Sequence, residues 1–157
     1  MQLDFWEQSL PFEYPFTISN GRTKTHQQSL MVRLSLGNLP LVECAPSQID
    51  QVFLNLIVNA AQAMPEGKMG LIDIRTDCNN EQVWIEVQDN GPGIPPDVLK
   101  KIFDPFFTTK DPGTGTGLGL SVSQNIIQQH GGKLEVSSTV GVGTTFKITL
   151  PIKRPVA

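Results

Sequence analysis

The chain has 157 residues, with 12 Lys and Arg against 15 Asp and Glu, a length that suits one domain around a single core. Its basic residues are scattered, which argues against nucleic acid as a partner, and Cys44 and Cys78 lie far apart without neighbouring histidines, which indicates neither a metal site nor a disulfide framework. No stretch approaches the roughly 18 apolar residues of a membrane span, so we expect a cytoplasmic domain that does not contact a membrane itself.

The first 28 residues have no clean hydrophobic period and include Pro11 and Pro15 among aromatic and polar residues. We expect residues 1–28 to be an N-terminal arm or a linker remnant, and residues 29–154 to form the domain. Apolar residues then alternate from Leu30 to Leu36, which predicts a half-buried strand. The segment "LPLVEC" predicts a second, short strand.

A helix is predicted from about residue 46 to 64, because Ser47 and Asp50 resemble a capping box and "PEG" ends the pattern. A broad apolar arc of this helix, with Ala63 near its end, should pack on a sheet. Five amides fall on one line along the remaining face: Gln48, Gln51, Asn55, Asn59 and Gln62. The stripe is either a solvated face or a ligand contact, and the second is favoured because solvated faces usually recruit Lys, Glu and Arg. An Asn oxygen suits magnesium that already carries phosphate oxygens.

The rest of the chain predicts two more helices and four strands. "LIDIRT" and "VWIEVQ" predict strands, and a short helix is expected from about residue 96 to 103. A weakly hydrophobic loop, residues 105–117, leads to a helix from about residue 118 to 130 that a glycine pair ends. "KLEVSS" and "TTFKITL" predict the last strands. This order of elements predicts an α+β fold, a two-layer sandwich in which about three helices cover one face of a mixed sheet.

Two glycine clusters flank the loop. In the first cluster, Gly91 and Gly93 follow Asp89 at the end of a predicted strand, and their missing Cβ atoms let a flat group approach the backbone. A carboxylate beside such a floor can accept a hydrogen bond from the exocyclic amine of adenine. On its own this signal is weak, because Asn-Gly and Gly-Pro are also ordinary turn sequences.

The second cluster, "GTGTGLGL", runs directly into a helix. Free amide groups and the positive helix end would face one point, which predicts an anion site. The cluster is not a Walker A loop, because no Gly-Lys-Ser/Thr follows it. The preceding loop holds Thr108, Thr109 and Lys110 and little that can pack, so we predict a mobile lid over phosphate.

Together these segments resemble the ATP-binding catalytic domain of sensor histidine kinases, in the superfamily shared with gyrase, the mismatch-repair ATPases and a heat-shock chaperone. "NLIVNAAQAM" looks like the asparagine box, "DNGPGI" the first glycine box, "FDPFFTTK" the phenylalanine box, "GTGLGL" the second glycine box and "GVGTTFKITLP" the closing strand. The resemblance covers about residues 36–151, and it implies a Bergerat-type ATP-binding fold.

The resemblance also implies a role for each matching residue. Asn59 would hold Mg²⁺, Asn55 would support the metal and the phosphates, and Asp89 would bind adenine. Residues 104–117 would close over ATP as a lid, and Lys110 in this lid would contact the terminal phosphate. Asn55, Asn59 and Lys110 would be the catalytic residues. The implied nucleotide contacts are completed by Gly91, Gly93, Ile94, Phe103, Thr109, Gly115, Thr116, Gly117, Leu118, Gly119, Leu120 and Thr145.

The activity implied is transfer of the γ-phosphoryl group from Mg-ATP to a histidine. In ATP-hydrolysing relatives a glutamate matches Asn55, and because an amide cannot accept a proton from water, hydrolysis should be slow here. No phosphoacceptor motif surrounds His26 or His130, and we expect each to be a surface or capping residue. The implied partners are a histidine-bearing dimerisation domain, in cis in the parent protein or in trans, and indirectly a response regulator. The parent would be cytoplasmic, or a membrane-bound sensor of which this chain is a cytoplasmic portion.

Two alternatives stay open at this point. One is a stand-alone serine/threonine kinase of the anti-sigma type, which is similar in size and shares the fold. The other is a module that binds ATP and signals by lid closure without transferring phosphate. The residues of "PFFTTK" and "HGGKLEVSSTVGVGT" favour the histidine kinases over these alternatives.

Overall fold

The computed structural model describes residues 12–17, 27–65, 67–110 and 115–153. The elements in chain order are β1 (Phe12–Thr17), β2 (Gln27–Leu36), α1 (Pro46–Ala63), β3 (Gly70–Cys78), β4 (Gln82–Asp89), α2 (Pro96–Leu99), α3 (Gly119–Gln129), β5 (Lys133–Thr139) and β6 (Gly143–Pro151). In this described part of the chain, no helix combines the length and apolarity needed to cross a membrane.

The strands form one mixed sheet in the order β1-β2-β3-β4-β6-β5. β2 and β3 are parallel, with Leu30 opposite Gly70, and the other neighbouring strands are antiparallel. A parallel pair needs a crossover connection, and α1 supplies it between β2 and β3. The helices lie on one face of the sheet, so the predicted α+β two-layer sandwich is confirmed.

The core lies between this sheet and the helices α1 and α3. Five side chains of this core are 0% exposed: Val52, Leu56, Ile72, Ile127 and Ile148. Burial of one such side chain contributes roughly 1.5 to 3 kcal/mol. Packing against the sheet, more than intrinsic helix propensity, therefore holds α1 and α3 in place.

The opposite face of the sheet is charged. Glu135, Lys147, Glu86 and Arg75 stand opposite one another on β5, β6, β4 and β3, so positive and negative side chains alternate across the strands. Lys147 Nζ lies 3.3 Å from the Glu86 carboxylate and 5.0 Å from the ring centre of Trp84. Cross-strand pairs of opposite charge stabilise a sheet by up to about 1 kcal/mol each. This face suits solvent, and the helix side of the sheet is left to form a site.

The start of α1 differs from the predicted capping box. Ala45 is the N-cap, Pro46 follows it, and no side chain caps the helix, so Ser47 lies inside the first turn. The backbone N–H of Ala45 donates to Nε2 of His130 over 3.0 Å. The Nδ1 atom of His130 lies 2.7 Å from the carbonyl oxygen of Ile126. His130 is the C-cap of α3 and is 1% exposed, so its expected capping role is confirmed and its expected surface position is wrong.

Two further elements differ from the sequence-based expectations. "LPLVEC" forms no strand, because Pro40 has no N–H for a ladder and Leu41 is largely exposed. One backbone bond, from Glu43 N–H to the Ile152 carbonyl over 3.0 Å, ties this segment down. The helix expected to reach residue 103 ends as α2 at Leu99, and the chain continues in tight turns.

Part of the predicted N-terminal arm joins the sheet. β1 pairs antiparallel with β2, with Phe12 opposite Val32. Gln27 and Gln28 begin β2, and the remaining arm residues, His26 among them, lie outside the described part of the chain. The division at residues 28 and 29 stays a prediction.

Candidate functional site

A cavity of about 700 Å³ opens between α1, the N-terminus of α3 and the loops that follow β4 and α2. Residues of β6 close its inner end. One wall is apolar, formed by Ile94, Val98, Ile102, Leu120 and Phe146. The polar side chains that line it come from separate elements: Asn55, Asn59, Gln62, Asp89, Thr108, Thr109, Lys110, Thr116 and Thr144.

Asp89, the last residue of β4, places one buried carboxylate in the cavity. Its Oδ1 accepts the backbone N–H of Gly91 over 2.8 Å and that of Thr144 over 3.3 Å. Burial raises the pKa of Asp89, and these two hydrogen bonds counteract the rise. Because both donors reach Oδ1, the carboxylate is held in one orientation and offers its other oxygen to a ligand.

Asn55 joins α1 to the first turns of α3. Its amide nitrogen donates to the Gly119 carbonyl and to Ser123 Oγ, each over 3.1 Å. Ser123 is fully buried and donates to the same carbonyl over 2.8 Å. These contacts use the amide nitrogen, so they set the orientation of the side chain and turn its oxygen the other way.

Lys110 reaches α1 from the loop after α2. Its Nζ donates to Asn59 Oδ1 over 3.4 Å and, at shorter range, to Gln62 Oε1. Burial lowers the pKa of Lys110. An ammonium group and two amide oxygens therefore meet where the loop after α2 contacts the face of α1 that lines the cavity.

The ends of the predicted lid are joined at the mouth of the cavity. The backbone N–H of Phe106 donates to the Gly117 carbonyl over 2.9 Å. Both residues have a left-handed backbone, with φ of 66° and 65°. A Cβ on Gly117 would lie 2.4 Å from the Phe106 backbone, so this close approach requires glycine. The Phe106 side chain is 74% exposed.

Comparison with known proteins decides the family. Residues 44–154 match the histidine kinase-, DNA gyrase B- and HSP90-like ATPases. The chain belongs to this family.

Within this family, the chain is similar to several sensor kinases. The chain is 52% identical over 119 residues to sensor kinase CckA of Brucella abortus (strain 2308), covering 66% of this chain and 12% of the relative. It is 46% identical over 114 residues to sensor histidine kinase ZraS of Escherichia coli (strain K12), covering 73% and 24%. The solved catalytic domain of histidine kinase ThkA has 36% identity and a TM-score of 0.68, covering 79% of this chain and 81% of that one.

These relatives place the chain among the ATP-binding catalytic domains of sensor histidine kinases. The chain matches almost the whole solved ThkA domain, whereas it spans about a quarter or less of CckA and ZraS. A solved full-length relative, ShkA in complex with AMPPNP, has 25% identity and a TM-score of 0.69, and this chain covers 27% of it.

Most of the residues expected at the nucleotide site of this ATPase domain line the cavity. They are Asn55, Asn59, Asp89, Gly93, Ile94, Thr109, Lys110, Gly115, Thr116, Gly117, Gly119 and Leu120. Gly91, Phe103, Leu118 and Thr145 are not among the lining residues. Gly91 acts on the site through its hydrogen bond to Asp89, and Leu118 is the N-cap of α3.

Thr144 occupies the place expected for Thr145. Thr144 is 5% exposed, lines the cavity and donates its backbone N–H to Asp89. Side chains alternate along a strand, so Thr144 shares the inner face with Phe146 and Ile148, and Thr145 points to the other face. That alternation is visible in "GTTFKITL" and identifies Thr144 from the sequence.

Three further differences concern residues whose surroundings only the fold reveals. Gln62, which belongs to the predicted amide stripe, and Ser123 contact predicted site residues, and neither was among the implied nucleotide contacts. Ala63, expected in the buried arc of α1, is exposed and lines the cavity. Gly93 has φ of 73°, and a Cβ there would lie 2.2 Å from the Thr139 carbonyl, so the flat group that approaches it is the protein's own backbone.

Proposed function

We propose that this chain binds Mg-ATP in the cavity and donates the γ-phosphoryl group to a histidine on a dimerisation domain. That domain would act in cis in the parent protein or in trans, and a response regulator would receive the phosphoryl group afterwards. The observation that carries the proposal is the combination of groups in one cavity: its lining includes both an oriented carboxylate and an ammonium held by amide oxygens.

The dimensions and lining of the cavity support a nucleotide. A volume of about 700 Å³ lies within the usual range for small-molecule sites. The apolar wall suits a purine ring, and Asp89 accepts a hydrogen bond from its exocyclic amine. Elsewhere in the lining, backbone amides of residues 117–120 and the positive end of α3 suit the phosphates.

The residues at the phosphate end also fit magnesium. Among the described residues, no group of three or more His, Cys, Asp or Glu side chains could hold a metal ion by itself. Magnesium carried by phosphate oxygens and water needs only one or two protein ligands, and Asn59 offers a hard amide oxygen. When bound, the ion would supply charge neutralisation for the phosphate groups.

Catalysis by these residues is positioning and charge stabilisation. Asn55, fixed by Gly119 and Ser123, has no basic group with which to take a proton from water. We therefore expect slow ATP hydrolysis and retention of the triphosphate until an incoming histidine lies in line with it. An ATP-dependent role of this kind suits the cytoplasm, alone or as a portion of a larger sensor.

Phosphoryl transfer to a purified histidine-bearing helical hairpin tests the proposal. The chain, the hairpin and ATP labelled at the γ position are mixed with Mg²⁺, and the label on the hairpin should be acid-labile and alkali-stable. A hairpin lacking its histidine is the control and should remain unlabelled. Acid-stable label on a protein substrate, or ATP binding without any transfer, would contradict the proposal.

A further inference from the structure

Gln62 lies one turn beyond Asn59 on α1 and lines the same cavity. Residues three apart on a helix are neighbours on its surface, so the two amides stand side by side. Both amide oxygens accept a hydrogen bond from Lys110 Nζ, and the contact with Gln62 Oε1 is the shorter. One ammonium group is thus held by two neutral oxygens.

The stem of Lys110 also contacts two described residues near it in the chain. Its backbone N–H donates to Thr108 Oγ1 over 3.1 Å. A Cβ added to Gly115 would lie 3.2 Å from Lys110 Cδ and 3.0 Å from Thr108 Oγ1, so Gly115 packs closely against the Lys110 side chain. Lys110 therefore lies between Gly115 and α1, and its direction depends on the α1 amides.

The partners of Lys110 leave its positive charge available. The oxygens of Asn59 and Gln62 belong to neutral amides, so they orient the ammonium without cancelling its charge. An oriented, half-buried ammonium facing a cavity attracts phosphate more strongly than a fully solvated one. Moreover, a metal ion on the Asn59 oxygen would repel the Lys110 ammonium and weaken that longer contact, so Gln62 would become its main partner.

We propose that Gln62 is a positioning residue that holds the Lys110 ammonium group at the place of the terminal phosphate of ATP. This inference rests on the proposed function, and it gives Gln62 a role in the preference for ATP over ADP. The role belongs to the amide oxygen of Gln62, and it operates through Lys110 rather than by direct contact with the nucleotide.

The ratio of ATP to ADP affinity in the presence of Mg²⁺, measured by calorimetry, tests the inference. Lys110→Met should reduce this ratio roughly tenfold, because it removes a charge-assisted contact made only by the terminal phosphate. Gln62→Met should reduce it roughly three- to tenfold with little effect on ADP binding. The double variant should lose no more than Lys110→Met alone, since the two residues act as one unit.

Gln51→Met is the matched control, because Gln51 is an exposed amide on the same predicted stripe of α1 and does not line the cavity. Both positions are exposed and Met is a good helix former, so each variant should fold, which circular dichroism checks. A Gln62→Met ratio equal to that of the control would overturn the inference, as would additive losses in the double variant. If the wild-type chain bound neither ATP nor ADP, the proposed function would be refuted, and this inference, which depends on it, would be refuted as well.

Discussion

At the scale of single residues, Asp89 is held in a place that works against its charge. Burial raises its pKa, and hydrogen bonds from Gly91 and Thr144 recover only part of the lost solvation. Those two donors were not identifiable from "DNGPGI" alone, because Thr144 lies on a distant strand that only the sheet brings beside Asp89. The sequence predicts which carboxylate binds, and the fold determines how it is oriented.

Asp89→Asn should have opposite effects on ATP binding and on the stability of the nucleotide-free fold. The amide keeps an oxygen for the two backbone donors, so its NH₂ group faces the cavity and opposes the adenine amine, weakening ATP binding roughly tenfold or more. Because the folded-state pKa of Asp89 is raised, the stability linked to its protonated form is present in acid and lost as the pH rises through that pKa. The variant does not titrate there, so without nucleotide it should be more stable than the wild type at neutral pH and equal to it in acid.

Thermal unfolding at acidic and neutral pH, with and without ATP, measures both effects. Asp77→Asn is the matched control, since Asp77 is an exposed carboxylate on β3 outside the cavity. A neutral-pH unfolding temperature below that of the wild type, in the absence of ATP, would contradict the burial argument.

At the scale of secondary-structure elements, α1 and α3 form one wall of the site and are fastened together at two points. Asn55 joins them beside the cavity, and His130 joins the end of α3 to the start of α1. Hydrophobic periodicity predicts both helices, because each buries one face against the sheet. It cannot predict that the N-cap residue Ala45 rather than Ser47 precedes α1, or that the Ala45 N–H donates to a side chain 85 positions away.

Replacing His130 should remove its hydrogen bond between α3 and α1 and lower the stability of the fold. His130→Ala removes a buried ring and leaves the Ala45 N–H without its acceptor, so we expect a loss of about 2 to 4 kcal/mol in the free energy of unfolding. Gln128→Ala, at an exposed position of the same helix, should change it by less than about 0.5 kcal/mol. Urea denaturation measures both values, and equal losses in the two variants would show that the ring makes no special contribution.

At the scale of the whole molecule, the site is a junction of α1, β4, β6, α3 and the lid rather than the property of any one segment. The five sequence motifs lie apart in the chain, and their order was enough to predict the family that residues 44–154 match. Contacts between motifs, such as that of Gln62 with Lys110, were not predictable, because helical spacing does not reveal where a lid residue will rest. A ligand at this junction would add contacts between parts of the protein that the core and a few side-chain hydrogen bonds already join.

Mg-ATP should therefore stabilise the whole domain. At a ligand concentration 100 times the dissociation constant, binding adds about 2.7 kcal/mol, which corresponds to an increase of roughly 5 to 10 °C in Tm. Removing Mg²⁺ with EDTA should reduce the increase in the wild type. For Asn59→Ala, the increase in Tm on adding ATP should equal the reduced increase of the wild type in EDTA, whether or not Mg²⁺ is present.

Asn125→Ala, at an exposed asparagine of α3, is the control and should respond as the wild type does. Each of the three proteins is scanned thermally in four conditions. These are ATP with Mg²⁺, ATP without Mg²⁺, and the same two buffers without ATP. The metal role of Asn59 would be refuted if the ATP-induced increase in Tm of Asn59→Ala fell below that of the wild type by the same amount with Mg²⁺ and without it.

The parallel pairing of β2 with β3 ties the assembly of the site to folding itself. The chain passes from one strand to the other only by way of α1, so the two edges cannot meet until that helix has crossed the sheet. The same crossing delivers Asn55 and Asn59 to their final places. Refolding followed by stopped flow should accordingly show tertiary order and nucleotide affinity returning in a single kinetic phase, with no earlier species that has a finished sheet and an unformed pocket.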